Sequence, residues 1–221
     1  MQILRPFDQA ITIAVSQKQD GNMGLFGDED EAQLNDILNN RRALLDALKI
    51  TSDQVLHVRL TYDREDYCRF LAIDAPSIVP MPTDGVLTTN PNLAILITPA
   101  DCLILITYDS VQKSLMLTHC GRHGVEDYAA RRAIEFMQEH GSDPTNIHAW
   151  LSPSAGKDGY PIWKFDNKSM QEIVVEQLLS AAVPQTQVAR SNIDTTTDSN
   201  YFSHSQGDTR ARFAVMARIN P

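Results

Sequence analysis

Two short strings hold the groups of this chain that could do chemistry: Pro99-Ala100-Asp101-Cys102 and Thr118-His119-Cys120-Gly121-Arg122-His123-Gly124. Between them lie two apolar runs, residues 103–107 and 114–118, with a turn predicted at Asp109-Ser110. A hairpin made of these runs brings the start of the first beside the end of the second. Cys102 and His119 are then expected at one end of one sheet. A thiolate and an imidazole held there can bind zinc or act as nucleophile and base. A cysteine in an apolar strand is most often a small core residue. Here Asp101 directly precedes it, and a carboxylate beside buried strands is costly without a role. Gly121 and Gly124 allow tight turns next to the imidazole. Cys120 and His123 crowd the same turn, but the two glycines are expected to interrupt any helix that would set His119 and His123 on one face.

The elements that position these groups follow from periodicity. Strands are expected at 11–15, 55–60, 85–88, 93–98 and 147–151, besides the two of the hairpin. A helix opens at the acidic run 28–31, where carboxylates favour the positive helix end, and continues to about Ile50. A second is expected over 125–140, with Tyr128, Ala129, Ala133, Ile134 and Met137 on its buried side and Gly141 as its stop. A third spans 167–182, and 213–217 is a closing apolar segment. Residues 17–27, 74–92, 152–161 and 194–198 read as loops. There is no repeat, no GxGxxG and no Walker A string. The pattern predicts one domain over 1–221 of the α/β (α+β) class, with a mixed β-sheet core and helices outside.

Of 221 residues, 43% are apolar and 21% charged, an ordinary globular composition. Nineteen Lys and Arg against 28 Asp and Glu give a net charge of -9. That balance argues against general nucleic-acid binding and against a basic membrane-binding patch, while leaving room for a small anion in a local pocket. No basic stretch leads into an apolar one at the N-terminus, and no run reaches membrane-span length. Three cysteines, Cys68, Cys102 and Cys120, suit reduced thiols in a cytoplasmic protein.

The ordered set of strings resembles the bacterial polyphenol-oxidase or laccase-domain family, also described as zinc-dependent purine nucleoside phosphorylases. Ala100-Asp101-Cys102 is similar to its Ala-Asp-Cys motif, and His119, Gly121 and Gly124 match its His-Ala-Gly-Trp-Arg-Gly motif. Asn40-Arg41, the segment Thr83-Asp84-Gly85-Val86-Leu87-Thr88, the loop from Leu151 to Gly156 with Tyr160, and a tail containing Tyr201-Phe202-Ser203-His204 and Arg212-Phe213-Ala214 extend the likeness. The chain departs from the family at the third zinc ligand, where Tyr62 stands in place of a histidine; Asp63, Glu65, Asp66 and Cys68 are the nearby substitutes. Arg122-His123 replaces the family's Trp-Arg.

The resemblance implies a layered αββα fold, also similar to that of the cytotoxic necrotizing factor toxins. It implies zinc held by Cys102, His119 and the Tyr62 position, with Asp101 orienting a ligand or holding a proton. The expected substrate is a purine nucleoside, cleaved with phosphate or, for adenosine, deaminated. Asn40, Arg41 and Arg212 are expected to meet phosphate or ribose, and Tyr160 to stack on the base or simply to pack. Two other readings use the same atoms: a metal-free Cys/His thiol hydrolase or amidase, and a degenerate member that binds a nucleoside or a protein without catalysis. The several His-x-His strings that multicopper centres need are absent from the sequence.

Overall fold

The computed structural model describes residues 1–60, 67–75 and 81–220. In chain order the strands are β1 (Gln2–Leu4), β2 (Ile11–Val15), β3 (Val55–Arg59), β4 (Phe70–Ala72), β5 (Met81–Pro82), β6 (Gly85–Thr88), β7 (Ala94–Ile97), β8 (Leu103–Asp109), β9 (Ser114–Cys120), β10 (Ile147–Leu151), β11 (Val188–Arg190) and β12 (Val215–Ile219). The α-helices are α1 (Glu31–Leu48), α2 (Arg122–Glu126), α3 (Ala129–Glu139) and α4 (Met170–Ser180).

The predicted hairpin forms. β8 and β9 pair antiparallel from Leu103↔Cys120 to Asp109↔Ser114. Asp109 Oδ1 closes the turn by accepting from the backbone N–H groups of Val111 and Gln112 at 2.8 and 2.9 Å. Among the described residues the strands assemble into two mixed six-stranded sheets, ordered β1-β2-β12-β7-β3-β5 and β11-β10-β8-β9-β6-β4.

Side-chain alternation then decides the layers. Ile13, Leu56, Ile95 and Val215 of the first sheet meet Ile104, Ile106, Leu115 and Leu117 of the second in one buried interior. The outer face of the first sheet, Ala14, Leu96 and Met216, is covered by Leu44 and Leu48 of α1. The outer face of the second, Leu103, Leu105, Met116 and Cys120, is covered by α3 and α4 through Ile134, Met137, Ile173 and Leu178. The result is the expected αββα arrangement. Each fully buried aliphatic side chain contributes roughly 1.5–3 kcal/mol.

The predicted helix over 125–140 is in fact two. Tyr128 takes a left-handed conformation, φ 61°, and is exposed, with its ring edge-on to Phe165. Gln177 of α4 bridges the break, accepting from Ala130 N at 3.1 Å and donating to Val125 O at 2.8 Å. These bonds satisfy backbone groups that a helix break leaves open. Gly121 and Gly124 do not interrupt the first piece: Gly121 caps it and Gly124 lies inside it, where the closest atom to a Cβ would be His119 O, at 3.3 Å. β1, β4, β5 and β11 were not expected; two or three residues on a sheet edge are too few to show a period.

Candidate active site

The register of β8 on β9 builds the site. Ile104 pairs with His119 and Leu103 with Cys120, so the next step sets Cys102 opposite Gly121. Cys120 shares Leu103's face, under the helices. His119 and Cys102 belong to the other face, at the open end of the inter-sheet interior. Gly121 presents no side chain, and sulfur and imidazole converge above it. A Cβ there would lie 3.0 Å from Cys102 Sγ, 3.0 Å from His119 Nε2 and 2.9 Å from His119 Cε1. The sulfur and Nε2 are therefore within twice that distance of each other. β6 adds a third group: Gly85 pairs with Thr118, and the preceding Asp84 accepts His119 N–H on its carbonyl at 2.7 Å. Asp84 Oδ2 accepts from Arg69 N at 2.9 Å.

These residues form the floor of a cavity of about 430 Å³. Phe26 and Arg212 stand in one wall, with the guanidinium of Arg212 5.0 Å from the Phe26 ring centre. Tyr160 and Arg122 stand in another, 5.3 Å apart by the same measure. His123, stacked on Tyr67 at 4.9 Å, and His204 also line the cavity.

Asp101 works behind this surface. It holds φ 75° and is 4% exposed. Its Oδ1 accepts from Thr195 Oγ1 and its Oδ2 from Ser205 N, both at 2.8 Å, and its carbonyl accepts from Ala155 N at 2.9 Å. One residue thus ties three segments around Cys102. The loop bearing His204 is held directly. The loop bearing Tyr160 is held through Ala155, and again through Asp194, whose Oδ1 accepts from Gly156 N. Burial, reinforced by the neighbouring Asp101 carboxylate, pushes the Cys102 thiol up to about 12. At neutral pH such a thiol stays protonated and is a weak nucleophile.

The structure brings Cys102, His119, Tyr160 and Arg212 together around one cavity, with Asp101 just behind it. Asn40 and Arg41, expected to meet phosphate or ribose, do not line this cavity. Asn40 Nδ2 donates to Asn22 O at 3.0 Å, and Arg41 Nε to Met23 O at 2.9 Å. Arg41 also lies 3.1 and 3.2 Å from the two ring nitrogens of the buried His57. Their link to the site is indirect: Asn22 Oδ1 accepts from Arg212 N at 2.9 Å, so α1 anchors the segment that carries Arg212. Cys68 Sγ faces the carbonyls of Gly124 and Asp127, at 3.9 and 3.7 Å, on the helix-covered side. Tyr62, Asp63, Glu65 and Asp66 lie outside the described residues. Asp84, Phe26, Arg122 and His204 were missed as site residues. Of these Asp84 had a signal, standing immediately before the strand that pairs with the His119 strand; the others sit in loops or at a helix start with no period to read.

A thiol and an imidazole are donors zinc accepts, but a catalytic zinc takes three protein ligands. Among the described residues no group of three or more His, Cys, Asp or Glu side chains is arranged to hold a metal. Among the described residues Cys102 and His119 are therefore an incomplete zinc set, the Tyr62 position lying outside them. No helix among the described residues is long and apolar enough to cross a membrane.

Similarity to known proteins bears on this geometry. The profile of the family described as multi-copper polyphenol oxidoreductase laccase matches residues 12–172. A purine nucleoside phosphorylase of Corynebacterium glutamicum is 26% identical over 142 residues, 62% of this chain and 53% of that protein. The purine nucleoside phosphorylase YlmD of Bacillus subtilis is 30% identical over 81 residues, 36% of this chain and 29% of that protein. The matched part thus spans about half or less of these curated relatives. Among solved structures, the hypothetical protein YfiH of Bacillus licheniformis superposes with a TM-score of 0.85 at 21% identity, covering 99% of this chain and 96% of that one. YlmD of Geobacillus stearothermophilus gives 0.80 at 19% identity, covering 96% and 92%. These two share the fold.

Proposed function

The chain belongs to the multi-copper polyphenol oxidoreductase laccase family, and from that premise we propose that it binds a purine nucleoside at Cys102 and His119 and cleaves its glycosidic bond with phosphate. Deamination of adenosine is the second reaction proposed for the same centre. The observation that carries this reading is the convergence of Cys102 Sγ and His119 Nε2 over Gly121, on the floor of a cavity of about 430 Å³. A space of that size accommodates a nucleoside-sized ligand. The relatives named purine nucleoside phosphorylases supply the substrate class.

The residues suggest a division of labour. Tyr160 offers a ring face to a planar base. Arg212, buried at the wall, offers positive charge to an anionic reactant. An imidazole on the floor can hold a proton or hydrogen bond at the departing base. Asp101 is a positioning residue. Cys102 and His119 are the side chains that would hold zinc, as the resemblance to zinc-dependent purine nucleoside phosphorylases implies, and the metal would supply charge to the reacting oxygen. The metal-free thiol hydrolase reading has less support, because desolvation and the neighbouring Asp101 carboxylate push the Cys102 thiol up to about 12.

The test is release of free base from inosine and adenosine, with and without phosphate, together with ammonia release from adenosine. The wild type is expected to turn over at least one of these and Cys102→Ser and His119→Ala to lose it. Equal turnover in both variants contradicts the site; no turnover by the wild type, with the nucleoside still bound, favours a non-catalytic binder.

A further inference from the structure

We propose that Arg122 makes this cavity a site for a phosphate-bearing ligand, its guanidinium being the fork that grips two phosphoryl oxygens. The inference deepens the nucleoside reading and rests on it only for the rest of the ligand. It concerns a residue that stands at the Trp position of the Trp-Arg string that the sequence otherwise resembles.

Arg122 opens α2 at the cavity wall. Its guanidinium carbon lies 5.3 Å from the Tyr160 ring centre and 5.8 Å from that of Trp163. A guanidinium against aromatic faces keeps its N–H edges available for in-plane hydrogen bonds, the geometry that grips a phosphate with two parallel bonds. Among the described residues Arg122 Nε is buried without a hydrogen-bond partner. The nearest carboxylate oxygen, Glu126 Oε1, stands 3.8 Å away, well beyond the roughly 2.7–2.9 Å of a charge-assisted bond. The rings and the Glu126 ion pair hold the cation in place, and among the described residues its Nε keeps an unspent donor.

The surroundings favour an anion in particular. Arg212 lines the same cavity, only 9% exposed and set against Phe26. The carboxylates nearest the floor have other bonds: Asp84 to Arg69 N, and Asp101 to Thr195 and Ser205. Among the described residues two arginines line the cavity against one lining carboxylate, Asp84, and a guanidinium with an open donor orients a small anion. The phosphate can be inorganic phosphate beside a nucleoside, or the phosphate of a nucleotide; both offer the same oxygens to Arg122.

The experiment is calorimetric titration of the full chain with inorganic phosphate, with adenosine, and with adenosine 5′-monophosphate, for wild type, R122Q and R122K, after thermal melts establish folding. The wild type is expected to bind phosphate or the nucleotide. R122Q should weaken that binding about tenfold or more and reduce adenosine binding by less. R122K, which keeps the charge without the fork, should recover only part of the loss and carries the test if R122Q does not fold. Phosphate that adds to bound adenosine identifies a co-substrate; phosphate that competes with a tighter-binding nucleotide identifies a nucleotide ligand. Either outcome supports the anion site. Phosphate binding that depends on Arg122 without adenosine binding would sink the nucleoside reading and leave this inference standing. A wild type that binds neither phosphate nor nucleotide overturns it, as does an R122Q or R122K that binds them as tightly as wild type.

Discussion

Replacing Gly121 by alanine separates the sulfur from the imidazole without removing either. Gly121 has φ -77°, so alanine brings no backbone strain. The cost is spatial: the new methyl would lie 3.0 Å from Cys102 Sγ, 3.0 Å from His119 Nε2 and 2.9 Å from His119 Cε1. Those separations are well inside the 3.5–4.0 Å optimum for heavy-atom contact, so both side chains must move. Overpacking of this kind costs about 1–3 kcal/mol of stability. A displacement approaching 1 Å at reacting groups costs about 100-fold in rate. Urea denaturation and phosphate-dependent release of base from inosine read the two effects separately. Gly124→Ala, inside a helix, is the milder comparison: its methyl meets His119 O at 3.3 Å, a tight contact relieved by a shift of a few tenths of an ångström, and Ala129 Cβ at 3.5 Å. There alanine gains about 1 kcal/mol of helix propensity, and stability should stay within about that of wild type. A G121A protein with wild-type turnover would refute the convergence.

Three further outcomes are expected. Asp101→Asn sets an amide where a carboxylate now accepts from Thr195 Oγ1 and Ser205 N; it should cost about 1–3 kcal/mol in urea denaturation and lower turnover, and an unchanged midpoint would remove Asp101 as the tie. Burial, and to a lesser degree the Arg41 charge, lowers His57 from 6.5 to about 3. The folded state thus binds fewer protons than the unfolded one between those values, and stability falls as pH drops through that window. From pH 6.5 to 5 the loss is about 1.5–2 kcal/mol, measured by urea midpoints, and His57→Asn should flatten it; an equally steep profile in the variant would contradict the assignment. Asn40→Ala frees Asn22 O, loosening the segment that holds Arg212; it should lower kcat/KM while leaving the His57 pH profile intact, and wild-type kinetics would count against this anchoring.

Legibility in the sequence followed the range of the interactions. The β8–β9 hairpin was readable because two long apolar runs flank a turn, and its pairing alone forecasts Cys102 beside His119. The split at Tyr128 was not readable, because the compensating bonds come from Gln177, which is distant in sequence. Asn40 and Arg41 were placed on the right helix. Which atoms they serve depends on how loop 22–23 folds over α1, and no local pattern encodes that. Arg122 looked like a departure from a motif, and only the positions of Tyr160 and Trp163 give it a chemical sense. Asp101 attracted notice as an expensive carboxylate, but its partners in the 195–205 segment lie about a hundred positions away.

The most direct test of the account is phosphate-dependent release of hypoxanthine from inosine by wild type, Cys102→Ser and His119→Ala, each confirmed folded. Release by the wild type alone is the predicted result. Release at wild-type rates by either variant would mean that the sulfur and imidazole meeting above Gly121 are not the working centre.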